Sequence, residues 1–159
     1  MLRLFFFCLA ATWAIALILP SKNSFPRGEP VRVTTPSEAP RETELEREAN
    51  GHFYVHAKVN GQLVRFVVDT GATVVALTRE DAERVGLDVD TSKFEIIGEG
   101  ASGAVSGQNV VLGSIEVDGK LANDVEGVVL AGSSMSLLGQ SYLSRLSEVK
   151  MSGEYMILR

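Results

Sequence analysis

From Phe53 the chain alternates. Phe53, Val55, Ala57 and Val59 fall on one side of an extended segment, and Tyr54, His56 and Lys58 on the other, the period-two pattern of a half-buried strand. Asn60-Gly61 follows, a dipeptide suited to the left-handed positions of a tight hairpin turn. Beyond it LVRFVVD (63–69) is rich in β-branched residues and predicts a second strand; Thr70-Gly71 interrupts, and TVVAL (73–77) predicts a third. Further strands are expected at 94–98, 104–112, 114–118, 121–130 and 155–158, with turns at Asp118-Gly119 and Ser152-Gly153. Two short helices break the series. One is predicted over 79–85, with Thr78 as its cap, Asp81 at the third position and Gly86 as its stop; the other over 140–146. Short strands separated by turn dipeptides predict a mainly β domain, a barrel or a sandwich.

The pattern before residue 51 is different. Residues 4–19, LFFFCLAATWAIALIL, carry no charge. As a helix of about sixteen residues they reach roughly 24 Å, near the short limit for a bilayer span and the long limit for a signal-peptide core. The run ends in Ile-Leu-Pro-Ser, and its one A-x-A, Ala14-Ile15-Ala16, sits inside it, so 1–19 reads as an uncleaved membrane anchor rather than a cleaved signal. All five prolines fall within 20–50, and RETELERE (41–48) is charged with little to bury, which predicts a solvated tether. The folded domain is then expected over 51–159. A net charge of −5 with no basic block gives no support to nucleic-acid binding. Cys8, inside the apolar run, is the only cysteine, which excludes a disulfide, a thiolate nucleophile or a cysteine metal site downstream.

Two stretches carry candidate chemistry. In FEIIGEGASGAVSG (94–107), Gly98, Gly100 and Gly103 spell the dinucleotide fingerprint G-x-G-x-x-G. That cradle needs a helix after its glycines, and AVSGQNVVLGSIEV is β-branched and broken by Gly107 and Gly113, so a hairpin with a glycine-rich tip fits better. In FVVDTGATVVAL (66–77), Asp69 emerges between two apolar runs. A partly desolvated carboxylate is costly there unless hydrogen-bonded or partly protonated. Thr70 offers a hydroxyl and an N–H, and Gly71 permits close approach of backbone. His52 and His56 share a strand face with no cysteine or carboxylate cluster, so no metal site is predicted. Ser102 and Ser106 lack a G-x-S-x-G setting, and Ser133, Ser134 and Ser136 read as loop residues.

The stretch FVVDTGATVVAL resembles the active-site segment of the retropepsins, the retroviral-type aspartic proteases. IIGEGASGAVSG lies where that family has its flap, and Leu137-Leu138-Gly139-Gln140 followed by SYLSRL resembles the segment leading into its short C-terminal helix. The similarity covers most of 51–159 in the same order. With the anchor and tether added, the chain resembles more closely the bacterial membrane-anchored clan AA proteases. The resemblance implies a closed β-barrel of the acid-protease fold with one or two short helices, and Asp69 as the catalytic carboxylate. Thr70, Gly71 and Ala72 would support its loop, and Gly98, Gly100, Ala101, Ser102 and Gly103 would form a flap over a peptide or protein substrate. It implies no metal and no cofactor, and a single-pass protein of the bacterial inner membrane with its protease domain in the periplasm.

Peptide hydrolysis needs a base to activate water and an acid to protonate the carbonyl oxygen. Two carboxylates about 3 Å apart supply both by sharing one proton. This chain has one D-T/S-G: Asp118-Gly119 lacks the intervening residue, and no glycine stands two residues after Asp124. A complete dyad therefore predicts a homodimer in which each copy gives Asp69. The resemblance implies that Thr70 hydroxyls link the two loops and that a terminal strand, here YMIL (155–158), joins the dimer sheet. The alternative is a retropepsin-like binding or assembly module that cleaves nothing.

Overall fold

Asn60 and Gly61 take φ of 49° and 83°, and Asp118 and Gly119 take 47° and 78°, the left-handed pairs that two-residue hairpin turns require. In the computed structural model the described residues are 39–100 and 103–159; the predicted anchor 1–19 and the first part of the tether lie outside them. The elements run β1 (Thr43–Glu46), β2 (Tyr54–Val59), β3 (Gln62–Val68), β4 (Val75–Leu77), α1 (Arg79–Arg84), β5 (Glu95–Gly100), β6 (Gly103–Val117), β7 (Lys120–Leu130), β8 (Ser136–Leu138), α2 (Gln140–Leu143), β9 (Val149–Ser152) and β10 (Tyr155–Leu158).

Six strands close a ring in the order β2-β3-β8-β4-β7-β6, sealed where β6 pairs back onto β2 at Lys58↔Glu116 and Val59↔Ile115. Strand β5 hangs on β6 outside the ring. Side chains alternate inward as the sequence pattern predicts: Val55, Ala57 and Val59 from β2, Val64 and Phe66 from β3, and Leu112, Ile115 and Val117 from β6 are all buried. Each fully buried branched or aromatic side chain contributes about 1.5–3 kcal/mol. The parallel pairs β3–β8 and β4–β7 run through the middle of the molecule, so Val67 and Val68 are buried although they point to opposite faces.

Helix α1 forms where expected: Thr78 Oγ1 accepts the Asp81 N–H at 3.1 Å, and Gly86 ends it at φ 81°. Helix α2 is shorter than predicted and ends at Leu143. Its Tyr142 is wholly buried and donates its hydroxyl to the Lys120 carbonyl at 2.7 Å, and burial pushes the phenol far above the usual tyrosine range. The strands expected at 104–112 and 114–118 are one strand, β6. Gly113 does not break it: Leu112 pairs with Val125 and Ser114 with Asn123 on either side. Ser136, expected in a loop, is buried in β8, where its hydroxyl donates to Asp81 Oδ2 at 2.5 Å and accepts from the Thr78 N–H at 3.0 Å.

One expectation fails, and a second feature bears on the ends of the folded unit. Within the expected tether, Thr43–Glu46 is a strand, with Thr43 and Leu45 buried and both glutamates exposed. What fixes it is remote in sequence. Lys120 is buried and its ammonium donates to Thr43 Oγ1 at 2.8 Å and to the Arg41 carbonyl, while Thr43 donates to Asp118 Oδ2 at 2.5 Å. Burial lowers the Lys120 pKa below the ordinary lysine range. Secondly, β10 lies between β1 and β9 in a separate three-stranded sheet, so YMIL has both hydrogen-bonding edges occupied within its own chain.

Gly139, between β8 and α2, passes under the loop that precedes β4. A Cβ there would stand 2.2 Å from the Val74 carbonyl oxygen and 2.8 Å from that of Ala72. Gly98, by contrast, has nothing within 4 Å and no left-handed φ. Gly139→Ala is therefore expected to cost about 1–3 kcal/mol or more, and Gly98→Ala to leave stability within about 0.5 kcal/mol. Urea denaturation of the two variants checks this; equal midpoints would contradict the close packing at Gly139.

Candidate active site

Asp69 follows directly on the end of β3. The preceding Val68 is paired with Leu138 of β8, and the Asp69 N–H donates to the Leu138 carbonyl at 3.1 Å. The chain then turns at once, the Ala72 N–H reaching back to the Asp69 carbonyl at 3.3 Å. This turn brings the Gly71 N–H onto Asp69 Oδ1 at 2.9 Å. A Cβ on Gly71 would come within 3.3 Å of that same oxygen, so glycine serves here by close approach rather than by an unusual backbone angle. Asp69 is half-buried, Thr70 exposed and Ala72 half-buried. Among the described residues no other donor reaches the Asp69 carboxylate, and the Thr70 hydroxyl makes no hydrogen bond.

The start of α2 clamps the far side of the loop. The Gln140 N–H donates to the Ala72 carbonyl at 2.8 Å and its side-chain Nε2 to the Thr70 carbonyl at 2.8 Å. The Ser141 N–H donates to the Thr73 carbonyl at 3.0 Å; its hydroxyl accepts the Val75 N–H at 2.9 Å and donates to the Glu126 carbonyl at 2.7 Å. Gln140 and Ser141 are the positioning residues that a reading of residue types misses. The available signal was their place directly after Leu137-Leu138-Gly139.

The glycine-rich stretch is a hairpin. β5 and β6 pair from Glu95↔Gly107 to Gly100↔Gly103, with a register shift between Ile96 and Gly98. Gly103 takes φ 108°, a value that excludes side chains with a Cβ in all but strained form. Ala101 and Ser102, expected at the tip, lie outside the described residues. A long strand, not a helix, follows Gly103, so these glycines form no dinucleotide cradle. A groove of about 410 Å³ next to the loop is lined by Val74, Asn109, Val110, Val111, Glu126 and Gly127. A larger cavity of about 610 Å³, beside α1 and residues 132–134, includes no residue of 69–74. His52 and His56 are exposed, His52 standing edge-on to Tyr54 with ring centres 6.4 Å apart.

Comparison with known proteins agrees with this geometry. Residues 55–145 match the sequence model of the family described as "gag-polyprotein putative aspartyl protease". Uncharacterized protein RP867 of Rickettsia prowazekii (strain Madrid E) is 34% identical over 114 residues, which are 72% of this chain and 49% of that protein. An uncharacterized protein in the cobV 5′ region of Sinorhizobium sp. is 36% identical over 129 residues, 80% of this chain and 55% of the other. The chain thus spans about half the length of these curated relatives. The crystal structure of a retropepsin-like aspartic protease from Rickettsia conorii superposes with a TM-score of 0.63 at 33% identity, covering 74% of this chain and 90% of that one. With the barrel, the Asp69 loop and the glycine-rich hairpin in place, these matches make the chain a member of the retropepsin-like, clan AA family of aspartic proteases.

Proposed function

We propose that the chain is an aspartic endopeptidase whose active centre is built from two copies, each contributing Asp69. The observation that carries this reading is the half-buried Asp69 carboxylate at the end of β3, with Oδ1 held by the Gly71 N–H at 2.9 Å and no other donor among the described residues on the rest of the group. One such carboxylate can be a base or an acid but not both. Two of them brought together across a twofold axis share a proton. The ionised one takes a proton from water as the water attacks the scissile carbonyl carbon, and the protonated one gives its proton to the carbonyl oxygen. The carboxyl that took the water proton then gives it to the amine nitrogen, the other carboxylate takes a hydroxyl proton from the tetrahedral intermediate, and the C–N bond breaks, returning the dyad to its shared-proton state. The exposed Thr70 hydroxyls, which make no hydrogen bond among the described residues, would join the two loops. The groove beside Val74 supports binding of an extended peptide, and the β5–β6 hairpin, with Gly98, Gly100 and Gly103, would close over it.

The uncharged residues 4–19 support attachment to a membrane, with the domain exported to the periplasm of a bacterium. Among the described residues no helix is long and apolar enough to cross a membrane.

Asp69→Asn should lower peptide cleavage by about 10²–10⁴-fold or more while the circular dichroism and melting curve stay those of the wild type, because the amide matches the carboxylate in size but cannot share a proton. Cleavage at the wild-type rate would remove Asp69 from the mechanism; no cleavage by the wild type itself would leave the non-catalytic binding module as the better reading. Specific activity is expected to fall with the square-law onset of dissociation as the enzyme is diluted below its dimer dissociation constant. Constant activity per chain down to concentrations where sedimentation finds only monomers would end the shared-dyad mechanism. The chain expressed in bacteria should remain in the membrane pellet after carbonate washing and begin before residue 20 on N-terminal sequencing; a mature terminus after Pro20 would make it a secreted protein.

A further inference from the structure

The β5–β6 hairpin leaves the barrel at the pair Glu95↔Gly107, and a side chain ties its two roots together just below that pair. Gln108, half-buried, follows Gly107 in β6. Its Nε2 donates to the Asp88 carbonyl at 3.0 Å and its Oε1 accepts the Asp90 N–H at 2.9 Å. In a parallel sheet one residue bonds the carbonyl of residue i and the N–H of residue i+2 on its neighbour. Gln108 makes the same two bonds with its side chain. Only the amides of Asn and Gln offer an N–H donor and a carbonyl acceptor side by side, and a glutamate lacks the donor. The loop so bonded is itself fixed. Leu87, Val89 and Phe94 pack against the core, and Asp90 Oδ1 accepts the Ser92 N–H at 3.0 Å and the Ser92 hydroxyl at 2.6 Å.

Just above Gln108 the contacts change character. The register of β5 on β6 slips by one residue at Ile97, which sits as a bulge between the pairs Ile96↔Ser106 and Gly98↔Val105. Gly107 is buried beside it. A Cβ there would stand 2.6 Å from the Val129 carbonyl oxygen, 2.8 Å from Val128 Cγ2 and 3.0 Å from Ile97 Cδ1. Ile97 and Val128 thus both reach over a glycine, through apolar contacts that carry no direction. Two directed bonds fasten the foot, and a bulge with an undirected contact lies next above it. Bending is therefore easier above the foot than through it.

We propose that Gln108 is a positioning residue for the hairpin: its side-chain amide clasps the foot to the loop at 88–90 and confines bending to the stretch from Ile97 and Gly107 outward. The proposal rests on the endopeptidase reading only for what the hairpin closes over. With the clasp in place, the hairpin gives up few arrangements when an extended peptide enters the groove beside Val74. Without it the foot frays, and the closed arrangement is a smaller share of the population. Apparent affinity for the peptide falls by that share, while Asp69 and the bonds that hold its loop are untouched.

The test uses the full chain in a mild detergent, as Gln108→Met, which keeps the side chain's length and removes both bonds, and as Gln108→Glu, which removes the donor to Asp88. In both, amide hydrogen exchange at 95–98 and 103–107 should quicken by about tenfold or more, while exchange in β2, β3 and β8 stays that of the wild type. The KM for a peptide should rise by about tenfold with kcat within about twofold of the wild type. Hairpin exchange as slow in Gln108→Met as in the wild type, or quickened equally in β2 and β3, would overturn the clasp whatever the activity. A lowered kcat at unchanged KM would overturn it as well. A hairpin that loosens as expected, in a chain whose wild type never cleaves peptide, would uphold the clasp and count only against the endopeptidase reading.

Discussion

The structure depends on one crossing, where the loop carrying Asp69 lies across the start of α2. Four hydrogen bonds between 70–75 and 140–141 hold it: Gln140 N–H to Ala72, Gln140 Nε2 to Thr70, Ser141 N–H to Thr73, and Val75 N–H to Ser141 Oγ. They form only because Gly139 lets the two backbones meet at a distance no Cβ would allow. On the proposed dyad reading, a carboxylate that has to meet a partner within about 3 Å could not ride on a freely moving turn. Here it rides on a loop whose backbone amides and carbonyls are taken up from both sides, leaving one carboxylate face and one hydroxyl unspent.

The barrel follows from the same crossing. β3 delivers Asp69 and β8 delivers Gly139, and the two run parallel in register, Val68 beside Leu138. β4 then leaves the loop alongside β7, again parallel. Parallel neighbours cannot be joined by hairpins, so α1, the β5–β6 hairpin and the long β6–β7 ladder must all be inserted between β4 and β8. The β5–β6 hairpin is in this sense a product of the connection: the chain has to leave the barrel and return, and β6 then continues past the groove lined by Val74, Val110 and Val111.

Much of this was legible in the sequence because local chemistry and final environment agree. Asn60-Gly61 and Asp118-Gly119 take the turn they encode, Thr78 caps α1, and the alternation at 53–59 becomes the inner face of β2. The carboxylate was legible for the opposite reason, as a polar group with no local excuse between two apolar runs. What could not be read were elements stabilised from a distance. TELE has one apolar residue and becomes a strand because Lys120, more than seventy residues later, buries its ammonium against Thr43 and the Arg41 carbonyl. Ser136 and Ser141 look like loop and helix serines, and their meaning lies in the partners Thr78, Asp81, Val75 and Glu126 supplied by other strands. The sheet position of β10 could not be read, because apolar content reveals that a strand is buried, not which of its edges are paired.

That distinction bears on how a half-site can be stable alone. A fold whose terminal strands are completed only by a partner leaves those strands unpaired in the monomer, and folding is then inseparable from association. Here β1, β10 and β9 satisfy one another within the chain, and Lys120, Arg47 and Arg159 pin their ends through contacts to Thr43, Gly153 and Glu42. The edge left over among the described residues is four residues long and carries Lys150, features that blunt indiscriminate strand pairing. Such a chain can fold first and associate second. Under the proposed shared dyad its chemistry is conditional on concentration, because folding would complete everything except the second carboxylate.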